Sequence, residues 1–598
     1  MAKFPSLVRR LIPLFLFSAT AVFADPPSPL QERADRFLIL ANAGYQALYR
    51  VNSEAQWLSS TDVTPAHDAG AEWAGKAYAA FNGNPALISE ARELLKHRAE
   101  LNDITGRQID RLLLNAAEGP MTIPELVAAR VEAETKQASI LNSFQFELKG
   151  KPITVNAIDD MLSKSTKLAE RKAVWETSKQ SGPALKPGLV KLRDLRNGVA
   201  QELGHHDYFA LQVAPYDMSA DEMVKLQDEF MTELRPLYLQ LHTWAKYKLA
   251  EKYHQPVPKL IPAHWINNRW SQEWSGLVEA ADIDARFKGR TAKWIVETAE
   301  QFYTGLGFEK LPASFWEKSD LYPVGPGETR KKNTHASCWH VDLDHDIRSL
   351  QSIEPNSQWF FTAHHELGHG YYFMAYTRPE VPPLLRTGAN PGFHEGIGEL
   401  ISLASSQVPY LQSRGVLPED FKADATAFLL DDALARSIPF IFWASGTMTH
   451  WEADIYTKNL PPEDWNARWW QYVRDFQGVE PPSPRGEEFC DAATKTHIND
   501  NPAYYYSYAV ATVLKFQLHD YIARNILHQP PQACNYADNK EVGAFLNKIL
   551  EKGGTEDWRK VLRDATGEEL STRAMVDYFK PLQSWLEEQN KGRQIGWE

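Results

Sequence analysis

Apolar residues recur at every third or fourth position along most of the chain, separated by Glu, Lys and Gln. This spacing places the apolar side chains on one face of a helix. It is clearest over Pro29 to Arg130, Ile158 to Thr177 and Ala220 to Tyr253. Alternating runs are rare, and the best β candidate is a short strand pair around Thr334 to Leu343. The pattern therefore predicts an all-α fold, mostly helical, with very little β-structure.

Short breaks that contain Pro or Gly separate the predicted helices, as at Gly182-Pro183 and Pro461-Pro462. The chain shows no obvious internal repeat and no low-complexity linker. Its 598 residues would suffice for several average domains or for one large one. We therefore expect residues 25–598 to form one large domain, in one or two lobes, rather than a string of modules.

The N-terminus has the pattern of a cleavable signal peptide over residues 1–24. Basic residues between Lys3 and Arg10 precede the apolar run Leu11 to Phe23, which is too short for a comfortable membrane span. Val22 and Ala24 place small residues before a cut at Asp25. A buried N-terminal helix is the alternative. We expect a periplasmic or secreted protein without a membrane anchor.

The charge and the cysteine content of the chain limit its possible partners and disulfides. The formal net charge of −13 argues against nucleic acid or an anionic membrane surface. There are three cysteines, Cys338, Cys490 and Cys534, so at most one intramolecular disulfide can form. The sequence carries no legible signal of oligomeric state, and we expect a monomer.

The segment His365-Glu366-Leu367-Gly368-His369 has the spacing of a metal site. Two histidines four residues apart on a helix present both imidazoles on one face, where they can bind one cation. Glu366, beside the first ligand, can reach a water on that metal. Zinc lowers the pKa of such a water towards 7, and a carboxylate can then take its proton. Taken alone, the motif is also compatible with a helix whose histidines are satisfied by hydrogen bonds.

A catalytic zinc needs a third protein ligand, and Glu395 is the candidate. Glu399 follows one helical turn later, where it suits a hydrogen-bond acceptor for a ligand histidine. The alternative is that the two acids form a solvated helix face. His364 and His394 could equally be structural hydrogen-bonding residues.

These two segments, His364 to His369 and Gly388 to Glu395, resemble the angiotensin-converting enzyme family of zinc peptidases. Further stretches resemble the same family in the same order over most of the chain: Pro262-Ala263-His264, Trp270 to Ser275, His335 to Trp339, Trp469 to Pro482, Lys495 to Ile498, Tyr505 to Tyr508 and Phe516 to His519. The resemblance implies an almost all-helical ellipsoid with two lobes, a deep central channel and a lid of N-terminal helices.

The resemblance also implies roles at a single Zn²⁺ site. His365, His369 and Glu395 would bind the metal, and Glu366 would be the general base and later the proton shuttle. His497 and Tyr508 would stabilise the oxyanion of the tetrahedral intermediate. The backbone of Ala336, and the side chain of His335, would align the peptide beside the metal.

By the same resemblance, Gln272, Lys495 and Tyr505 would bind the free C-terminal carboxylate of an oligopeptide. Tyr504 is a rival to Tyr505, because we place a one-residue insertion between His497 and Tyr508. This arrangement favours release of C-terminal dipeptides. The alternatives are a single-residue carboxypeptidase, a general oligopeptidase and, from another class, a non-catalytic binding protein on a peptidase scaffold.

Two departures from the family pattern concern anions. Ser507 stands where the family has a basic residue just before the catalytic tyrosine, and Val473 stands where an Arg is expected. A buried anion without cationic partners is costly. We therefore expect activity that does not require chloride.

Overall fold

The computed structural model describes residues 27–278, 283–422 and 424–597. The predicted signal peptide lies outside these ranges. Helices make up 66% of the structure and strands 3%, which confirms the all-α prediction. No helix among the described residues has the length and apolar character needed to cross a membrane.

The first four helices form a separate layer with its own small apolar core. Ser28, Thr64, Asn84 and Asn102 cap their N-termini by accepting a backbone hydrogen bond, and the first three begin with Pro. Ala34, Leu38, Leu94 and Ile109 belong to this core, to which the main body contributes Leu384. The helices are α1 Pro29–Thr61, α2 Pro65–Asn82, α3 Pro85–Leu95 and α4 Asp103–Ala116.

The main body has one continuous apolar core that extends from Phe146 to Trp597. Its first helices are α5 Pro124–Ser143, α6 Val155–Lys164, α7 Leu168–Thr177, α8 Gly182–Glu202, α9 Tyr208–Val213, α10 Ala220–Tyr253, α11 Ala292–Gly305 and α12 Ala313–Lys318. The helix predicted over Ala220 to Tyr253 is confirmed at both ends. The one predicted over Ile158 to Thr177 is two helices, because Ser165 ends the first and its hydroxyl accepts from the Lys167 N–H.

The second half of the body carries the motif-bearing helices. These are α13 Ser357–Tyr376, α14 Pro391–Ser406, α15 Val408–Ser413, α16 Ala425–Asp432, α17 Ile438–Ile441, α18 Thr449–Tyr456, α19 Trp465–Tyr472, α20 Thr496–Asp500, α21 Tyr505–Tyr521, α22 Lys540–Leu550, α23 Trp558–Thr566 and α24 Arg573–Gln589. Short π-helical segments follow α16, α17, α19 and α21.

The β-structure consists of three two-stranded pairs among the described residues. The strands are β1 Phe146–Leu148, β2 Lys151–Ile153, β3 Ile261–Pro262, β4 Ser337–His340, β5 Ile347–Leu350 and β6 Val479–Glu480. The pair predicted around Thr334 to Leu343 exists only in its first strand, β4. Its antiparallel partner β5 lies beyond the predicted range, since Asp342 accepts hydrogen bonds from the backbone of Asp344 and Asp346 within the turn.

Close helix packing brings α13, α14 and α21 together. A Cβ on Gly368 of α13 would lie 3.2 Å from the Cα of Gly398 on α14. On the other side of α14, a Cβ on Gly396 would lie 2.9 Å from Leu514 of α21. Glycine at these crossings lets the backbones approach closely. As a result, the residues of three distant motifs share one region of the molecule.

Candidate metal centre

The three predicted metal ligands converge in the structure. The Nε2 atoms of His365 and His369 are 3.1 Å apart, and Glu395 Oε2 lies 3.7 Å from His365 Nε2. All three ligand atoms fall within 4.8 Å of one another. Two nitrogens bound tetrahedrally to one Zn²⁺ lie about 3.3 Å apart. The geometry therefore fits a zinc ion with two histidine ligands and one glutamate.

The electrostatics of this cluster also fit a dication. Burial lowers the pKa of both His365 and His369, so both rings are held in the neutral form that binds metals. Burial, and then the charge of Glu399, raises the pKa of Glu395 to about 7. A carboxylate charge that is costly here would be compensated by a bound cation.

Glu366 points into the same region without a partner. Its side chain is buried, and Oε2 accepts no hydrogen bond among the described residues. Burial, followed by the charge of Glu395, raises its pKa to about 8. An unpaired buried carboxylate of raised pKa is suited to accept and return a proton.

The two neighbouring histidines differ in what they contact. His364 is structural: its ring contacts the carbonyl of Phe360 at 2.7 Å and the hydroxyl of Tyr410 at 2.8 Å. His394 lies instead against His369, a predicted ligand, with its Nδ1 3.2 Å from Nδ1 of His369. One of these nitrogens donates to the other, which orients the His369 ring. The sequence alone did not decide whether these two histidines have a structural or a functional role.

Glu399 lies beside His365, close enough for its charge to raise the pKa of that ring, in opposition to burial. Its ion-pair partner, however, is Lys515 of α21, whose Nζ is 2.9 Å from Glu399 Oε2. Sequence reasoning missed Lys515. Its spacing of seven residues from Tyr508, which places both on one helix face, is the signal that could have found it.

Tyr508 on α21 lies near Glu395, and His497 on α20 lies beside Tyr508. Their rings are 6.1 Å apart, and the charge of Glu395 contributes to the raised pKa of Tyr508. Burial is the main cause and brings that pKa to about 12. Burial, and then Lys495, lowers the pKa of His497 to about 4. At neutral pH the tyrosine is thus a protonated donor and the histidine a neutral imidazole.

The predicted carboxylate trio is also assembled. Lys495 Nζ donates to Gln272 Oε1 at 2.8 Å, across 223 residues of sequence. The ammonium lies over the ring of Trp270 at 4.3 Å and over that of Tyr505 at 5.4 Å. Tyr504, like Tyr505, packs on Tyr508, but it is the pKa of Tyr504 that responds to the charge of Glu395. Trp270, a further member of this pocket, was not singled out from the sequence.

His335 and Ala336 precede β4, which packs against α13. The side chain of His335 is exposed, and its backbone N–H donates to Asn333. Among the described residues, no hydrogen bond, ion pair or ring contact joins either residue to the predicted metal ligands. Two residues further on, Cys338 lies near enough to Glu366 for that charge to raise the pKa of its thiol, after burial. All three cysteines, each within the described ranges, are free thiols.

Comparison with known proteins agrees with this geometry. The family model for angiotensin-converting enzyme matches residues 28–597. The chain belongs to the angiotensin-converting enzyme family. This membership confirms the resemblance found in the sequence.

Three angiotensin-converting enzymes illustrate the relationship. That of Rattus norvegicus is 31% identical over 608 residues, and that of Mus musculus is 28% identical over 606 residues. Both alignments cover 95% of this chain, but this chain spans only 44% of the length of those relatives. The enzyme of Theromyzon tessulatum is 31% identical over 462 residues, which are 74% of this chain and 73% of that relative.

Proposed function

We propose that this member of the angiotensin-converting enzyme family is a zinc peptidyl-dipeptidase that releases C-terminal dipeptides from oligopeptides. The observation that carries the proposal is the continuity between two sites. The Lys495–Gln272 pair contacts Tyr505, whose ring lies 5.1 Å from His497 and 5.3 Å from Tyr508. Tyr508 in turn lies near Glu395. A carboxylate pocket therefore adjoins the metal ligands.

When bound by His365, His369 and Glu395, zinc would supply a Lewis acid that polarises the scissile carbonyl and acidifies water. Glu366 would then take the proton from the attacking water, since its Oε2 is buried and uncommitted. The same carboxyl would deliver that proton to the nitrogen of the leaving amine.

His497 and Tyr508 would stabilise the developing oxyanion. The phenol of Tyr508 remains protonated at neutral pH, because its pKa is raised to about 12. A preorganised donor aimed at an oxyanion contributes about 3 kcal/mol to lowering the barrier. The neutral His497 would act as the second donor through one ring N–H.

The cleavage register would follow from the distance between the carboxylate pocket and the metal. An ammonium from Lys495 with neutral donors from Gln272 and Tyr505 would bind the terminal carboxylate. Tyr504 is the less favoured candidate, since Lys495 lies over the ring of Tyr505 and the pKa of Tyr504 responds to Glu395. A pocket closer to the metal would instead give a single-residue carboxypeptidase, and a weak pocket would give a general oligopeptidase.

The peptide itself would lie along β4. Among the described residues β4 pairs with β5 alone, so its second edge is free to bind an extended chain by backbone hydrogen bonds. Ala336 would contribute its backbone and His335 its exposed side chain at the start of that edge. We also propose a monomer that is exported by the N-terminal signal peptide and needs no chloride.

The test is a mass-spectrometric digest of an N-blocked pentapeptide, with a free or an amidated C-terminus, each with and without a zinc chelator. We expect loss of a C-terminal dipeptide that chelation abolishes and amidation strongly reduces. Release of single residues would support the proposed zinc chemistry, but it would mean that the terminal carboxylate binds at a different site. Internal cleavage indifferent to amidation would reject the carboxylate pocket, and zinc binding without turnover of any peptide would favour a binding protein.

A further inference from the structure

An ion pair joins the helix that carries Glu395 to the helix that carries Tyr508. Lys515 Nζ lies 2.9 Å from Glu399 Oε2, and the exposed fractions of the two side chains are 7% and 27%. Most ion pairs at protein surfaces contribute little to stability. A pair as secluded as this one differs, because removing one partner leaves the other charge poorly solvated.

The pair is one of the contacts that join α14 to α21. Glu395 and Glu399 are one turn apart on α14, while Tyr508 and Lys515 are two turns apart on α21. Tyr508 faces Glu395, and Lys515 binds Glu399. Gly396 lies between Glu395 and Glu399 and allows α14 to pack closely on Leu514 of α21.

Glu399 lies where its orientation matters to the metal centre. Its carboxylate is within electrostatic reach of the ligand His365 and of the ligand Glu395. Unrestrained, it could rotate towards the cation or away from the His365 ring. Residues that hold the partners of metal ligands commonly affect metal retention as much as activity.

We infer that Lys515 is a positioning residue of the metal centre, which holds the Glu399 carboxylate beside His365 and thereby slows the release of zinc. The inference deepens the proposed function and rests on it, since it assumes that His365, His369 and Glu395 bind the metal.

A neighbouring cavity makes a specific test possible. Lys515, Glu399 and His365 all line a cavity of about 450 Å³, together with apolar side chains such as Phe361 and Phe428. Shortening Lys515 to Ala would open the space of its butylammonium arm to this cavity. A small primary alkylammonium ion could then enter and replace the missing charge beside Glu399.

The experiment measures the rate of zinc release from purified full-length protein to a chromogenic chelator. For Lys515→Ala we expect release faster by about 10–100-fold. Butylammonium chloride should restore the slow rate in Lys515→Ala, while equal ionic strength from tetramethylammonium chloride should not. Lys246→Ala is the matched control, because Lys246 is equally buried and donates to the Gly596 carbonyl at 2.6 Å.

A double variant tests whether Lys515 acts through Glu399. If it does, Lys515→Ala should change the release rate little in a Glu399→Gln background, because energies of coupled residues are not additive. Additive effects, a release rate like that of the wild type, or equal acceleration in Lys246→Ala would overturn the inference. Should Lys515→Ala not fold, as judged by circular dichroism, Lys515→Gln takes its place with the same expectation except amine rescue. A wild-type protein that binds no zinc would instead reject the proposed function.

Discussion

Replacing Lys495 by Met would separate recognition of the substrate carboxylate from the chemistry at the metal. The side chain of Lys495 is 7% exposed, and its ammonium donates to Gln272 while lying over Trp270. Methionine has nearly the same length and keeps the apolar stem against the aromatic rings. The substitution therefore removes a charge and its hydrogen bonds while retaining most of the packing.

The magnitude follows from the number of donors involved. One N–H of Lys495 is used by Gln272, so the others are available to a bound carboxylate. A hydrogen bond to a charged group contributes about 1.5–3 kcal/mol. Since about 1.4 kcal/mol corresponds to a factor of ten, kcat/KM on a free-carboxylate peptide should fall about 10–150-fold.

The assay is a cycle of two enzymes and two substrates. Wild type and Lys495→Met are each tested on an N-blocked peptide with a free or an amidated C-terminus. Because the amide carries no charge, the variant should process it almost as well as the wild type does. The preference for the free carboxylate should therefore largely disappear in the variant. Lys179→Met is the control, since Lys179 is also buried over Trp270, at 5.1 Å, but has Thr494 as its partner.

Equal losses on the two substrates would refute this reasoning. Lys495 would then support the fold or the metal centre, and the terminal carboxylate would bind elsewhere. A loss confined to the free-carboxylate peptide in Lys179→Met would also refute it, because the charge that matters would then be the neighbouring one.

Four further predictions follow from the same geometry. Burial, and then the charge of Arg269, lowers the pKa of Lys495 to about 7, although the charge of Asp500 acts in the opposite direction. The Lys495 side chain is therefore a charged ammonium below that pH and a neutral amine above it. The KM for a free-carboxylate peptide should thus rise from pH 6 to 9, whereas the KM for the amidated peptide should not. Parallel pH profiles of the two KM values would contradict this prediction. Glu366→Gln should lower kcat at least about 100-fold with full zinc content by elemental analysis, whereas substantial turnover would exclude Glu366 as the base. Gly398→Ala should weaken zinc retention, because the added Cβ would lie 2.7 Å from the His365 ring. Gly75→Ala, where a Cβ has room, is the control. Unchanged zinc retention in Gly398→Ala would contradict the prediction. Exchanging acetate for chloride at constant ionic strength should leave activity unchanged, and a several-fold activation by chloride would show that Ser507 and Val473 do not abolish anion dependence.

Local chemistry explains which elements could be predicted from the sequence. The helix Ala220–Tyr253 begins at a capping box formed by Ser219 and Glu222, and it ends at His254 in the left-handed conformation. Both signals lie within a few residues of the helix ends. The break at Ser165 was missed because the apolar face continues across it, and the break depends on hydrogen bonds that periodicity does not report.

The residues of the candidate site also divide into those that the sequence could predict and those that it could not. His365, His369, Glu395 and Glu399 could be found from four-residue spacing, because both pairs lie on single helices. Lys515 was missed, since its partner Glu399 lies on another helix and only the seven-residue spacing from Tyr508 pointed to it. The cation–π contact of Trp270 was missed for the same reason: it arises only when distant segments pack.

The proposed carboxylate pocket is the most fold-dependent part of the site. Gln272 follows Ser271, a buried residue with φ 57, and this left-handed conformation is uncommon for residues other than glycine. The carbonyl of Ser271 is held by Trp274 Nε1 and Gln477 Nε2. Strained backbone persists where surrounding contacts over-determine it. The distance from this pocket to the metal ligands, and with it the proposed cleavage register, therefore depends on the packing of the body rather than on the metal-binding motif.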